Sequence, residues 1–342
     1  MGATWVTRHE LTSVFGDALG YKSGLVLSYQ QMLDLVDDKR KKYWTIGEGS
    51  IVRIRSEEID DMFAGMLYRL GISTQPDSTP HMLRLFKKYH DTPDRELYEK
   101  VGKLWVDFLA QEVKERRDGA PTEQTASIDP SPAVNDCLEK FGARGLQILI
   151  EAMEGLNEDL ARSFWGKIRR VEWKDARTLD ELFKSEKLES LHGHFFDQRF
   201  INYLAASFDS IDAIHWRQFE GLTCEFFERQ GFTVSIGEGR DDGNIDARVW
   251  PKGQDPATPP AILVQCKRQK EKVGKMVVKA LYADILDAQA TSGLIVTSSE
   301  LQPGAEAVCI ARAYPITQVK RETLHEWLVN MRTPLSGIFM GT

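Results

Sequence analysis

The residues whose types and spacing favour chemistry lie in the last third of the 342-residue chain. Gln265 and Lys267 close the apolar run AILVQCK, and Asp246 stands at the start of the alternating run DARVW. Because side chains alternate along a strand, Gln265 and Lys267 point to one face and Cys266 points to the other. A charged group at the end of an apolar strand is costly to bury unless it is paired or binds something. This spacing predicts a functional cluster where the strand ends.

These residue types suit the hydrolysis of a phosphodiester bond with a divalent cation. That reaction needs oxygen ligands for the cation, a group that handles the attacking water, and positive charge near the phosphate. Asp246 and the carbonyl oxygen of Gln265 are suitable ligands for Mg²⁺, and Lys267 is suited to orient the water or stabilise the developing charge. Glu220 lies at the edge of the buried stripe of a predicted helix and supplies the missing acid. We therefore predict Glu220, Asp246 and Gln265 as metal ligands, with Lys267 completing the catalytic set.

The elements that position these residues follow from the hydrophobic pattern after residue 211. Strands rich in Val, Ile and Leu alternate there with amphipathic helices, in the order helix, three strands, helix, strand, and then a further helix, strand and helix. This order predicts an α/β domain with a mixed central sheet flanked by helices. The predicted elements are HWRQFEGLTCEFFERQG, FTVSIGEG, NIDARVWP, AILVQCKRQ, KMVVKALYADILDAQA, GLIVTSS, PGAEAVCIARAY, ITQVK and ETLHEWLVNM.

This arrangement resembles the Mrr-like restriction endonucleases of the PD-(D/E)xK nuclease superfamily. The resemblance covers about residues 214–328 and depends on FEGLTCEFFERQGF, DDGNID and VQCK, which contain Glu220, Asp246, Gln265 and Lys267. Asn244 departs from the usual Gly-Gly or Gly-Ile before the aspartate, and Gln265 replaces the usual acid, a substitution common in this branch. The resemblance implies a DNA endonuclease that uses Mg²⁺, with Mn²⁺ as the alternative, often in defence against foreign DNA. It also implies a homodimer or larger assembly, since two strands must be cut.

A run of basic residues follows the proposed site directly. Lys275 and Lys279 lie four residues apart on one face of a predicted helix, where phosphate contacts are favoured over a merely solvated surface. Such contacts are independent of DNA sequence and sensitive to salt. The predicted phosphate-binding residues are Arg268, Lys270, Lys275 and Lys279.

The first half of the chain is predicted to be mainly α-helical and its role is open. Ser28, Ser56 and the pair Thr92-Pro93 are helix start signals, and DGAPTEQTASIDPSP is typical of a linker. We predict a multi-domain protein whose helical part senses a signal, reads DNA or binds a regulatory partner. The predicted divisions are an α-helical domain at 1–117, a linker at 118–132, a helical segment at 133–210 and the nuclease domain at 211–342.

Composition adds weaker constraints. The net charge of −7 does not suggest a protein that coats nucleic acid, but the excess acid is N-terminal and local patches decide such contacts. No run approaches the roughly 20 apolar residues of a membrane span and no signal peptide is evident, so we expect a cytoplasmic protein without membrane contact. The dispersed cysteines are expected to be buried free thiols: Cys137, Cys224, Cys266 and Cys309.

Several alternatives stay open. The domain could bind DNA or support an assembly without cutting, it could be a structure-specific repair nuclease, and RNA as substrate is not excluded. Asp241 and Asp242 fit turn residues better than metal ligands. The HGH segment, which contains His192 and His194, fits a loop or helix end better than a metal site. The tryptophans at helical spacing fit core positions better than base stacking: Trp105, Trp165 and Trp173.

Overall fold

The computed structural model describes residues 2–118, 128–169, 171–239 and 245–332. They form two compact units, one built from residues 2–76 and 171–332 and the other from residues 77–169. These boundaries differ from the predicted ones, because the helical region expected at 1–117 is divided between the two units. A hydrophobic stripe shows that a helix has a buried face, but it does not show which element covers that face. Most of the predicted linker, residues 119–127, lies outside the described residues.

The N-terminal part of the first unit combines helices with short strands that the sequence did not predict. The helix start at Ser28 is confirmed: its side chain accepts a hydrogen bond from the backbone N–H of Gln31 at 3.3 Å, and Gln31 bonds back at 2.8 Å. That helix ends at Leu35, because Val36 is extended. The elements are β1 (Ala3–Thr7), α1 (Arg8–Ser23), β2 (Leu25–Val26), α2 (Tyr29–Leu35), β3 (Ile51–Arg55) and α3 (Ser56–Arg69).

The second unit is helical, as predicted for this part of the chain. Its core is formed mainly by the facing surfaces of the two long helices, where Val101 and Leu149 are fully buried. Trp105 is part of this core at 5% exposure, as its spacing predicted, whereas Trp165 is 62% exposed. The helices of this unit are α4 (His81–Tyr89), α5 (Arg95–Asp118) and α6 (Ser131–Arg162).

The C-terminal part of the first unit contains the predicted α/β arrangement, and its element order is confirmed. A five-stranded sheet has the order β5-β6-β7-β8-β9, with antiparallel pairing from β5 to β7 and parallel pairing from β7 to β9. The elements are β4 (Arg177–Thr178), α7 (Leu179–Lys184), α8 (Gln198–Ala206), α9 (Trp216–Arg229), β5 (Thr233–Ile236), β6 (Ala247–Trp250), β7 (Ile262–Lys267), α10 (Lys275–Asp287), β8 (Ser292–Thr297), α11 (Pro303–Arg312), β9 (Ile316–Val319) and α12 (Arg321–Met331).

Helices cover the sheet, and none of those described combines the length and apolar composition of a membrane span. Leu263 of β7 packs in a core with Val278, Leu281 and Ile285 of α10. Because side chains alternate along a strand, Gln265 and Lys267 lie on the same face of the sheet as Leu263, the face that α10 covers. Helix α9 contacts β5, β6 and β7 from another side.

A fully buried arginine joins the N-terminal part of the first unit to the part that contains the sheet. Arg199 is 0% exposed and bonds to both carboxylate oxygens of Asp197, at 2.8 and 2.6 Å. The same guanidinium donates to the backbone carbonyls of Gly24 and Asp175 and lies 5.1 Å from the ring of Trp173. Residues from three distant parts of the sequence thus satisfy one buried charge, as burial of a charge requires.

Helix α9 is fixed by one stripe of residues that faces the preceding segment. The Gln218 amide donates to the carbonyls of Ser185 and Lys187, at 3.1 and 2.6 Å. A Cβ at Gly221 would lie 3.0 Å from the Phe195 carbonyl oxygen, so the helix and this segment are in close contact. One turn later Glu225 accepts three backbone N–H bonds from residues 194–196, at 2.9, 2.7 and 3.2 Å. The HGH segment is thus a loop held by a carboxylate.

Replacing Glu225 by alanine is expected to lower the free energy of unfolding by about 3 kcal/mol, because three buried donors lose a charged acceptor. Equilibrium denaturation with urea measures this loss. Glu228→Ala is the matched control, since Glu228 is on the same helix, its side chain is 37% exposed, and its contact with the same loop is an ion pair of 3.7 Å with the exposed His194. An equal, small effect of both substitutions would contradict the anchoring role of Glu225.

Candidate active site

The structure places the four predicted catalytic residues at one end of the sheet. Glu220 lies on α9, Asp246 immediately precedes β6, and Gln265 and Lys267 are in the last three residues of β7. Glu220, Asp246 and Gln265 are buried, at 6%, 8% and 2% exposure, while Lys267 is half-buried. Three polar groups therefore lie out of bulk water near the point where β6 begins and β7 ends.

Backbone hydrogen bonds fix Asp246 beside Gln265. Its N–H donates to the carbonyl of Val264 at 3.0 Å, and its Oδ2 accepts from the N–H of Cys266 at 2.6 Å. The two bonds bracket Gln265 along β7. Because strand N–H groups lie in the plane of the sheet, the carboxylate of Asp246 lies in that plane too. A side-chain oxygen thus takes the place of a backbone acceptor where the β6–β7 ladder ends.

Glu220 lies against Asp246 and its charge is costly there. Burial, together with the charge of Asp246, raises the pKa of Glu220 to about 8, although the neighbouring Arg217 acts in the opposite direction. Arg217 Nη1 donates to Glu220 Oε2 at 2.8 Å, and both side chains are largely buried. Arg217 therefore does not fully offset the two carboxylates, and Glu220 holds a proton at neutral pH.

Cys266 occupies the opposite face from Gln265 and Lys267, as strand alternation predicts. Its Sγ lies 3.5 Å from Thr223 Oγ1 on α9, and Thr223 in turn donates to the carbonyl of Phe219 at 3.1 Å. Burial raises the pKa of the Cys266 thiol, and also that of Cys224, well above the ordinary value. Both thiols are therefore neutral packing groups, and all four cysteines are free.

The end of β7 is held by β8, which limits where Lys267 can reach. The Lys267 carbonyl accepts from Thr297 Oγ1 at 2.9 Å and from the N–H of Ser298 at 3.3 Å. Ser298 Oγ also accepts from the N–H of Gln269, at 3.1 Å. Among the residues described, the Lys267 ammonium forms no ion pair. The backbone of Lys267 is thus held in place, while its ammonium group is available to contact a substrate.

The predicted phosphate-binding residues fall into two groups. Lys270, Lys275 and Lys279 are exposed, the last two on α10. Arg268 is half-buried and donates to the carbonyl of Asp212 at 2.7 Å, which gives it a contact within the fold. Arg217 was not among the residues predicted from the sequence. Its position three residues before Glu220 on a helix was the available signal, because residues at that spacing are neighbours.

The residues of the site fit a divalent cation that takes few protein ligands. Within the described ranges, His, Cys, Asp and Glu nowhere form a group of three that could hold a metal ion. Two adjacent carboxylates and the oxygen of Gln265 nevertheless suit Mg²⁺, which usually keeps several waters and binds one or two carboxylates. Burial, together with the adjacent charge of Asp246, raises the pKa of Glu220, and a bound cation would offset both effects. Asp241 and Asp242 lie outside the described residues.

Glu220 gives the metal-free protein a pH-dependent stability. Since its pKa is about 8 in the folded state and 4.5 ordinarily, its contribution is complete below pH 4.5 and is lost as the pH rises through 8. Glu220→Gln removes this titration. Between pH 5 and pH 9 we expect the variant to gain more than about 1 kcal/mol relative to wild type, the equivalent of one pKa unit. Urea denaturation in EDTA across this range measures the difference, and parallel profiles would contradict the assignment.

Comparison with known proteins agrees with the motifs. Residues 211–328 match the model of the family Mrr_cat, described as restriction endonuclease. No curated protein matches the chain. Among solved structures, the MspJI restriction endonuclease in complex with a 27-mer oligonucleotide is found at 17% identity and a TM-score of 0.27. That alignment covers 54% of this chain and 40% of the other, so this chain spans less than half of that protein's length. The resemblance predicted for the C-terminal third is confirmed: residues 211–328 match the Mrr-type restriction endonuclease family.

Proposed function

We propose that this protein is a metal-dependent endonuclease that hydrolyses phosphodiester bonds of DNA. The observation that carries the proposal is the buried Glu220–Asp246 pair, fixed beside Gln265 and Lys267 at the end of the sheet. The match of residues 211–328 to a restriction endonuclease family supports the same reaction class. A site that concentrates negative charge away from water is suited to a divalent cation, and a phosphate substrate needs one.

Each residue has a distinct role in this proposal. Glu220, Asp246 and the oxygen of Gln265 would hold Mg²⁺ or Mn²⁺, which when bound polarises the phosphate and lowers the pKa of water. Asp246 is fixed by the Cys266 N–H, so one of its oxygens stays oriented. The half-buried ammonium of Lys267 stabilises the charge that develops on the phosphate, or orients the attacking water.

The biological setting extends this proposal. We infer a role in restriction or defence against foreign DNA, with a homodimer or larger assembly cutting both strands. Residues outside the matched segment would target or regulate the nuclease. The Arg199 contacts support such coupling, because they tie residues 24 and 175 to the helix that precedes the nuclease segment.

One observation favours a second candidate, a DNA-binding module that does not cut. The Arg217 guanidinium occupies one oxygen of Glu220, and Gln265 replaces an acid, so the site holds less negative charge than a site with three carboxylates. The absence of cleavage with any divalent cation, together with intact DNA binding, would favour this candidate. Cleavage of RNA in preference to duplex DNA would instead change the substrate class.

Asp246→Ala and Lys267→Ala are each expected to reduce cleavage at least about 100-fold, since the first removes a ligand of the cation and the second removes the charge that acts on the phosphate or orients the water. The assay compares supercoiled and linear duplex DNA with Mg²⁺, Mn²⁺ or EDTA. Lys272→Ala is the control, because Lys272 is paired with Glu300 at the surface, at 2.6 Å. Full activity of either site variant would overturn the assigned roles.

The double substitution Lys275→Ala, Lys279→Ala is expected to weaken DNA binding about tenfold. The slope of log affinity against log salt should become shallower by about two, one for each lost phosphate contact. Fluorescence anisotropy with a labelled duplex in EDTA measures both quantities. An unchanged slope would mean that this face of α10 does not contact the backbone.

A further inference from the structure

The outward face of the β1–β3 ribbon has an unusual composition. The two strands pair antiparallel with Trp5 opposite Arg53, Ala3 opposite Arg55 and Thr7 opposite Ile51. Directly opposed residues share one face of a ribbon, so these six residues line the same side. Trp5 is 67% and Ile51 65% exposed, and both arginines are exposed as well. Ile54, from the other face, is fully buried, so the ribbon has a fixed inner and outer side.

The charge of this outer face is positive in a chain whose net charge is −7. It contains two arginines and no acidic residue. Over the described part of the chain, Arg53 has neither an ion pair nor a hydrogen bond from its side chain. The charge of Glu58 reaches Arg55, but the Glu58 carboxylate is already engaged by the Tyr43 hydroxyl at 2.7 Å. The face therefore complements a polyanion.

We propose that this ribbon enters the major groove of duplex DNA and reads or positions the target of the nuclease. The groove is about 12 Å wide and admits a two-stranded β-ribbon. A guanidinium at the centre of the ribbon suits the acceptor edge of guanine, and an exposed aromatic ring suits the thymine methyl group. Arg55, at the end of the ribbon, suits a phosphate. Because β1 and β3 belong to the same compact unit as Glu220 and Asp246, one unit both binds and cuts DNA.

This inference names the target-binding element within the proposed function and rests on it. Its consequence is measurable apart from cleavage, because binding is read in EDTA. The probe is a labelled 40-base-pair duplex with a randomised centre. Trp5→Ala and Arg53→Ala are each expected to weaken binding about tenfold. Arg55→Ala, which removes the phosphate contact, should in addition make the salt dependence shallower, by about one.

Matched variants separate recognition from folding. Trp5→Phe keeps the aromatic contact and is expected to bind within about twofold of wild type. Trp165→Ala removes a tryptophan of similar exposure, 62%, from the other unit and should leave binding unchanged. Thermal unfolding of every variant within a few degrees of wild type confirms that the fold is kept, as expected for exposed side chains.

Three results would overturn this inference. Wild-type affinity in Trp5→Ala and Arg53→Ala would overturn the inference, and so would a failure of wild type to bind the duplex. A smaller oligomer in Trp5→Ala, with DNA affinity unchanged, would identify the ribbon as a contact between copies and overturn it too. If wild type binds through the ribbon but never cuts, the nuclease proposal fails while this one stands. If wild type cuts DNA and the ribbon variants bind DNA normally, the nuclease proposal stands and this inference fails.

Discussion

Two carboxylates held side by side out of water are the constraint on which the site depends. Left alone, Glu220 and Asp246 would separate or take up protons, and the raised pKa of Glu220 records that tendency. They stay together because each is fixed by a different part of the fold. Helix α9 is anchored through its own stripe of residues, and Asp246 is bonded to the backbone of β7. The folding of the whole unit thus holds two like charges close together, and a bound cation would relieve their repulsion.

Much of the sheet could be predicted from sequence because its signals are local. Runs such as AILVQCK and GLIVTSS have the length and β-branched content of buried strands, and the helix KMVVKALYADILDAQA has its own periodicity. The strands β1 and β3 could not be predicted in this way. Trp5 of β1 pairs with Arg53 of β3, and helices α1 and α2 lie between the two strands in the sequence. The unit boundaries escaped prediction for the same reason, since the contacts of Arg199 join residues far apart in sequence.

The sequence predicted some residues of the site but not the contacts that hold them in place. Asp246, Gln265 and Lys267 stood out because polar groups at the end of apolar strands need a reason to be there. Strand alternation also predicted the separation of Cys266 from its neighbours, which its contact with Thr223 bears out. The ion pair of Arg217 and the Cys266 N–H bond of Asp246 depend on tertiary geometry that no spacing encodes. Arg268 shows the limit most clearly, because a basic residue in a basic run bonds to a backbone carbonyl.

The anchoring stripe of α9 has a consequence for where the segment that matches the restriction endonuclease family can be separated from the rest of the chain. The segment that matches the family begins at residue 211, yet Gln218, Gly221 and Glu225 all pack on residues 185–196, which precede it. A protein beginning at residue 211 would leave the Glu225 carboxylate without its three donors and would expose the side of α9 that residues 185–196 cover. The segment that matches the family is therefore shorter than the segment needed to keep α9 packed and stable. Transfer of this segment to another protein must include the loop that comes before it.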